Sequence, residues 1–428
     1  MRIIEFPKRE NWDSLIERPS ALSESTARDV AEILSAVRQH GDEAIRRISQ
    51  KFDKCVPDTF AVSDSELLAV RQCISPDLKT AIATAYDNIR RFHQLSDTAE
   101  YEIETFPGVF CGRKRIPIER VGLYIPAGSA PLFSTVLMLA IPAKLAGCEE
   151  IIMCSPPSGD GTIDAATLYA ASLCGVSRIY KIGGAQAIAA MTFGTETVPK
   201  VDKIFGPGNR YVTEAKLQIL RYGVAIDMPA GPSELLVIAD DTCRPDFVAA
   251  DLLSQAEHGP DSQVILLTES KELAGKIIEQ IEQQIADLQR RDIAYASLAN
   301  SAAIILRSIE ECLDFSNLYA PEHLILAVEN AGQAALRIKN AGSVFIGNYA
   351  CESAGDYASG TNHTLPTGGA ARGFSGVTTE SFMKTITFQR ITSEGISRLA
   401  PTIETMAAAE GLEAHRRAAA IRRKEVEK

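Results

Sequence analysis

Gln255 and His258 stand three residues apart in Ser254-Gln255-Ala256-Glu257-His258-Gly259-Pro260, at the end of a run carrying Phe247, Ala250, Leu252, Leu253 and Ala256. If that run is helical, the spacing sets an amide oxygen and an imidazole on one face. Gly259-Pro260 ends the helix at once. The pair then sits at a carboxyl end, whose unpaired carbonyls favour a cation. A lone Gln-x-x-His also describes a capping histidine on an ordinary helix, so a metal site requires further ligands. The groups available to complete one are Glu322-His323 after Pro321, Asp356, His363 and His415. Mixed nitrogen and oxygen donors suit zinc or a similar divalent ion. Spacing does not choose among them, and each histidine taken singly also fits a core or surface role.

Glu322-His323 places a carboxylate and an imidazole side by side ahead of the apolar run Leu324-Ile325-Leu326. An adjacent acid and base can abstract a proton and activate water. Strand alternation would aim them at opposite faces unless they lie in the loop itself, and a solvated Pro-Glu-His turn is the plain alternative. Glycine-rich turns at Pro126-Ala127-Gly128-Ser129, Gly183-Gly184-Ala185-Gln186 and Gly206-Pro207-Gly208-Asn209 each lead into a helical pattern. Their amides could cradle a dinucleotide phosphate, or the glycines could serve only tight turns. No Gly-x-Gly-x-x-Gly follows a strand, so the usual Rossmann fingerprint is absent. Cys111, Cys148 and Cys154 could in principle act as thiohemiacetal-forming nucleophiles, but their contexts read as packing.

The elements that must position these groups alternate between short β-branched runs and helical periods. Residues 22 to 95 read as helices, with Val30, Ile33, Leu34 and Val37 on one face, a break at Gly41-Asp42, a capping box at Ser63 to Glu66, and an N-cap with first-turn proline at Ser75-Pro76. Strands at 120 to 125, 150 to 154, 178 to 182 and 201 to 205 alternate with helices at 134 to 145, 163 to 174, 185 to 193 and 210 to 222. A second series follows Leu235-Leu236-Val237-Ile238, with helices at 245 to 258 and 271 to 289 and strands at 264 to 267, 303 to 306, 324 to 328 and 343 to 346. Such alternation gives parallel sheets with right-handed crossovers. The fold expected is α/β, with two Rossmann-like parallel-sheet domains, an N-terminal helical segment and a C-terminal helical tail. Between Asn348 and Thr378 lies a long stretch rich in Gly, Ser and Thr, of the kind that usually carries function. From Glu380 the pattern returns to helix.

The chain of 428 residues is 46% apolar and long enough for two or three domains. With 55 acidic against 44 basic side chains, its net charge of -11 disfavours nucleic acid or an anionic membrane as a partner. Nine scattered cysteines without Cys-x-x-Cys suggest reduced thiols in the cytoplasm. The N-terminus lacks the apolar core of a signal peptide.

Seven stretches together resemble the histidinol dehydrogenase family over nearly the whole chain: Val121-Gly122-Leu123-Tyr124-Ile125-Pro126-Ala127-Gly128, Gly183-Gly184-Ala185-Gln186-Ala187, Phe205-Gly206-Pro207-Gly208-Asn209, Ala230-Gly231-Pro232-Ser233-Glu234, Leu253 to Pro260, Ala320-Pro321-Glu322-His323 and Ser353-Ala354-Gly355-Asp356-Tyr357. The resemblance implies a zinc enzyme that uses NAD twice to take L-histidinol through an aldehyde to L-histidine. It implies Gln255, His258, Asp356 and His415 as zinc ligands, His323 as the base for the hydroxyl proton, and Glu322 as activator of water. Ser233, His363 and Glu410 match substrate-contacting positions, which the metal ligands and the catalytic pair share. Tyr124, Gln186 and Asn209 match positions near NAD. The resemblance further implies a homodimer whose C-terminal segment crosses over, so that Glu410 and His415 complete the partner's site. On one regular helix those two residues would stand about 140° apart. The domain division expected is 1–20, then 21–125 with 237–377 for substrate and metal, 126–236 on the nucleotide side, and 378–428 as the exchanged tail. A zinc hydrolase using Glu322 to activate water, a related dehydrogenase acting on a different alcohol, and a non-catalytic metal-binding protein are the competing readings.

Overall fold

The structure, a computed structural model of the chain, describes residues 1–18, 23–53, 55–95, 100–127, 131–176, 178–229 and 231–428. The Gly128-Ser129 turn and Ala230 lie outside the described residues, as do positions 19–22 at the first expected domain boundary.

The chain opens with β1 (Arg2–Glu5) and a single helical turn, α1 (Trp12–Leu15). Helices α2 (Glu24–Phe52), α3 (Asp64–Cys73) and α4 (Pro76–His93) follow, then an antiparallel pair, β2 (Tyr101–Phe106) and β3 (Val109–Pro117). The first α/β series is β4 (Arg120–Tyr124), α5 (Phe133–Ala146), β5 (Glu150–Ser155), α6 (Ala165–Leu173), β6 (Arg178–Lys181), α7 (Gly184–Phe193), β7 (Lys203–Phe205), α8 (Arg210–Ile219) and β8 (Ala225–Ile226). The second is β9 (Glu234–Ala239), α9 (Pro245–Ala256), β10 (Gln263–Thr268), α10 (Lys271–Ile285), α11 (Arg291–Ala299), β11 (Ala302–Ile305), α12 (Ile309–Tyr319), β12 (His323–Ala327), α13 (Ala331–Ala335) and β13 (Ser343–Ile346). After α14 (Glu352–Tyr357) come β14 (Met383–Ile391), α15 (Ser393–Ala409) and α16 (Glu413–Val426).

Contacts divide the chain into two compact units, residues 1–95 with 119–379, and residues 96–118 with 380–428. The larger unit holds two all-parallel sheets. One runs β6-β5-β4-β7-β8, the other β1-β11-β10-β9-β12-β13. Apart from the edge strand β1, each is wound 3-2-1-4-5 in its own strand order, so the architecture is duplicated although the sequence is not visibly so. In both, the winding reverses between the first and fourth strands, β4 and β7 in one and β9 and β12 in the other.

Both sheets are covered on their two faces, as parallel sheets must be. Around the first, Val30, Leu34, Val37 and Ile45 of α2 share a core with Ile188, Met191 and Val212 of α7 and α8. Gly41 breaks α2 with φ +49°, and a Cβ there would strike the Glu196 carboxylate, which instead accepts the Asp42 N–H at 2.8 Å. Around the second, Leu252 and Ile277 of α9 and α10 pack one face, and Trp12, Phe315 and Tyr319 the other.

The smaller unit is a β14-β3-β2 antiparallel sheet with the α15–α16 hairpin. Its helices are tied by Arg423 Nε to Glu404 Oε1 at 2.9 Å. The expected N-terminal helical segment is present as α2 to α4. Residues 2–5 form an edge strand of the second sheet, and residues 383–391 pair along β3 before the tail becomes helical. Gly411, at φ +74°, separates α15 from α16, so Glu410 and His415 do not share one regular helix.

Candidate active site and metal cluster

The residues expected to carry chemistry gather at the amino ends of β9 and β12. α12 closes through Ala320 in a left-handed conformation, φ 54°, and after Pro321 and the bend at Glu322, His323 begins the strand. The objection from strand alternation thus falls away. Glu322 Oε2 lies 3.8 Å from His323 Nδ1. Both side chains are nearly closed to solvent, at 8% and 5%. The Glu322 carboxylate accepts the backbone N–H of Glu234 at 2.9 Å, and His323 Nδ1 faces the Glu234 carbonyl at 3.4 Å.

Gln255 is in the last turn of α9, whereas His258 lies just beyond the helix, its N–H donated to the Gln255 carbonyl at 3.2 Å. The single helical face expected for the two is replaced by a helix end and the turn that follows it. His258 Nε2 stands 3.9 Å from Asp356 Oδ2, and His323 Nε2 3.5 Å from Asp356 Oδ1, charge contacts longer than a good hydrogen bond. Asp356 rides on α14, inside the long Gly- and Ser-rich stretch. The same short helix brings in Glu352, which the sequence reading passed over. Its Oε1 is 3.9 Å from His323 Nδ1 and its Oε2 accepts from Ser254 Oγ at 3.3 Å. A carboxylate one turn before a candidate ligand was the available signal.

His258, Glu352 and Asp356 offer ligand atoms all within 4.8 Å of one another. Glu352 Oε1, Asp356 Oδ1 and both amide atoms of the fully buried Gln255 have no hydrogen-bond partner. Orphaned buried oxygens are costly, and here they converge. A divalent cation fits this donor set.

The electrostatics agree. Burial pushes the Glu322 carboxyl up to about 8, against the pull of His323. Desolvation works to lower His323, but Glu322, Asp356 and Glu352 outweigh it and raise the imidazole to about 10. Glu352 is driven well above the carboxylate range by burial, with Asp356 and Glu322 adding repulsion. Burial acts to raise Asp356 too, but the contact with His323, with His363 and His258 behind it, brings it below its ordinary value. His258 is lowered, chiefly by desolvation, although its side chain keeps 40% exposure. Acidic groups outnumber the cations able to pair with them, as a cation site requires.

His363 joins this cluster to the first sheet. Its Nδ1 faces the Asp356 carbonyl at 2.9 Å and its Nε2 the Thr135 hydroxyl, on α5, at 3.2 Å. Ser233 immediately precedes β9, and its carbonyl accepts the Gln263 N–H at 3.2 Å. Glu410 and His415 belong to the smaller unit, where both are exposed on the α15–α16 hairpin.

Tyr124, Gln186 and Asn209 fall at the carboxyl side of the first sheet, Tyr124 ending β4, Gln186 in the first turn of α7 after β6, and Asn209 between β7 and α8. The Tyr124 hydroxyl accepts the Gly184 N–H at 3.0 Å, and Gln186 Nε2 donates to Asp53 at 3.3 Å. Asn209 caps α8, its Oδ1 accepting from Tyr211 and Val212. The Gly206 N–H is taken by Asp227 at 2.8 Å. The described glycine turns thus spend these amides inside the fold rather than leaving them for a phosphate. Cys148 and Cys154 are buried, burial raises the Cys154 thiol, and Cys111 sits on β3, all consistent with packing.

Fold and site together define an α/β enzyme whose larger unit holds two parallel sheets and a buried acid–base pair beside a cation-shaped donor set. The profile of the family described as "Histidinol dehydrogenase" matches residues 16–423. A histidinol dehydrogenase of Bacteroides thetaiotaomicron is 52% identical over 422 residues, covering 99% of each chain, and one of Bacteroides fragilis is 50% identical over the full length of both. The crystal structure of histidinol dehydrogenase from Elizabethkingia anophelis matches with TM-score 0.97 and 53% identity, over 100% of this chain and 99% of that one. The chain belongs to the histidinol dehydrogenase family, a family of oxidoreductases. That membership sets aside the hydrolase and non-catalytic readings.

Proposed function

We propose that the chain oxidises L-histidinol to L-histidine in two steps through a bound aldehyde, as the last part of histidine biosynthesis, with zinc at the cluster and NAD as electron acceptor. The observation carrying this reading is the buried Glu322-His323 pair set against the unpartnered oxygens of Gln255, Glu352 and Asp356. Gln255, His258, Asp356 and a subunit-exchanged His415 would hold the metal, with Glu352 beside them. When bound, zinc supplies a positive anchor for the substrate's imidazole and amine. Ser233, His363 and Glu410 would orient the rest of the substrate.

In the first oxidation His323, neutral once the carboxylate charges that hold its proton are offset, accepts the hydroxyl proton while the carbinol hydride leaves to NAD, forming the carbonyl. In the second, Glu322 takes a proton from water as it adds to that carbonyl, and a second hydride leaves, giving the carboxylate. Two NAD and one water are consumed per substrate. Near-complete burial of the pair excludes bulk water and holds the aldehyde for its second turn. Tyr124, Gln186 and Asn209 would contact NAD, a reading supported for Tyr124 and Asn209 by the rule that ligands sit at the carboxyl ends of strands beside a strand-order reversal.

In this reading residues 126–236 serve the nucleotide, residues 21–125 with 237–377 the substrate and metal, residues 1–20 lead in, and residues 378–428 exchange between subunits of a homodimer. Exposed Ile103, Phe106, Phe388, Met406, Leu412 and Ile421 on the smaller unit support an apolar partner for it. No helix among the described residues is long and apolar enough to cross a membrane, and the scattered thiols favour a reducing compartment such as the cytoplasm.

Half-reactions test the two roles. His323→Asn is expected to slow alcohol oxidation by about 10²–10⁴-fold. Glu322→Gln should spare that step and slow oxidation of supplied histidinaldehyde. Equal loss in both steps for both variants would refute the division of labour.

A further inference from the structure

Arg18 belongs to neither sheet, yet it reaches the centre of the larger unit. Its Nε and Nη2 grip the two carboxylate oxygens of Glu234 at 2.6 and 2.9 Å, and Nη2 also donates to the Tyr319 carbonyl at 2.7 Å. The guanidinium lies over the Tyr319 ring, 3.7 Å from its centroid. The Glu234 side chain is 3% exposed and takes a further hydrogen bond from the Gly368 N–H at 2.9 Å.

The residues so gripped are the ones that hold the acid–base pair. Glu234 gives its N–H to Glu322 and turns its carbonyl to His323 Nδ1, while Tyr319 ends α12, three residues ahead of Glu322. One planar fork therefore ties the segment bearing the pair to the strand whose backbone orients it. A fork of fixed geometry suits this better than a point charge.

We propose that Arg18 is a positioning residue that, through Glu234 and Tyr319, sets the orientation of Glu322 and His323. This rests on the reading of those two residues as the reacting acid and base.

The test compares Arg18→Ala and Arg18→Lys with the unaltered enzyme, in kcat and KM for histidinol and for histidinaldehyde, in zinc content, and in melting temperature. Arg18→Ala should lower kcat about 10–100-fold in both oxidations, the range for supporting residues of this kind, with KM and zinc content nearly unchanged. Arg18→Lys should fall between, and added guanidinium should restore part of the Ala variant's rate. In a His323→Asn background, Arg18→Ala should change alcohol oxidation by less than about twofold, because the group it orients is gone. The same factor in both backgrounds would overturn the proposal, as would a lowered melting temperature with full kcat per folded molecule. If the Ala variant does not fold, Arg18→Met with Glu234→Gln removes both charges together, and full kcat in that protein would equally overturn it. The catalytic reading fails separately, if His323→Asn and Glu322→Gln each keep the unaltered rates.

Discussion

The two parallel sheets of the larger unit share one winding order and differ in the end that carries candidate site residues. In the first sheet these sit beyond the carboxyl ends of β4, β6 and β7, and their polar groups are satisfied within the fold. Lys216 and Asp227, both almost wholly buried, pair at 2.5 Å and clamp Gly206 from two sides, Lys216 Nζ donating to its carbonyl at 2.8 Å. Gly206 itself, at φ +123°, passes so close to the Tyr124 carbonyl that a Cβ would lie 2.1 Å from it. In the second sheet the residues sit at the amino ends of β9 and β12, and the buried oxygens of Gln255, Glu352 and Asp356 are left without partners. A duplicated scaffold is thus specialised by where it leaves hydrogen-bonding capacity unspent. In the first half Tyr124, Gln186 and Asn209 are hydrogen-bonded within the fold; in the second, Gln255, Glu352 and Asp356 keep buried atoms without partners.

The largest effect should come from emptying the second half. Asp356→Ala is expected to release the metal on dialysis and cut turnover by more than about 100-fold. Measured zinc per subunit that stays at the unaltered level would contradict the donor assignment. In the first half the equivalent lesion should be one of stability. Lys216→Met strands a buried carboxylate and should cost about 3–5 kcal/mol of unfolding free energy, with zinc content retained. Denaturant titration would show it, and a loss of zinc without loss of stability would blur the contrast between the halves. The smallest effect belongs to α3, on the flank of the first sheet, where Glu66 pairs with Lys181 of β6. Ser63→Ala removes the cap of α3 and should cost about 1 kcal/mol, with kcat unchanged.

Local chemistry made much of this legible in the sequence. Ser63 and Glu66 do form the reciprocal capping box, Ser75 caps ahead of Pro76, and every strand expected in the two alternating series is present within a few residues of its expected ends. What escaped notice depends on partners far along the chain. β1 pairs with β11, three hundred residues on, and β3 pairs with both β2 and β14, so short exposed runs gave no periodic signal of their own. Glu352 and Arg18 were silent for the same reason. A single glutamate in a Gly- and Ser-rich stretch, or a single arginine ahead of a proline, acquires meaning only from what the fold brings beside it. The Glu322-His323 pair was visible as chemistry, but its convergence depends on Ala320 and Pro321 ending one element just before the next begins.

The central claim, a metal-assisted four-electron oxidation at one site, is tested most directly by counting NADH formed per L-histidinol by the purified protein, with zinc, after chelation, and after zinc is restored. Two NADH per histidinol, lost on chelation and recovered with zinc, is the expected result. One NADH per substrate, or a yield indifferent to chelation, would contradict it.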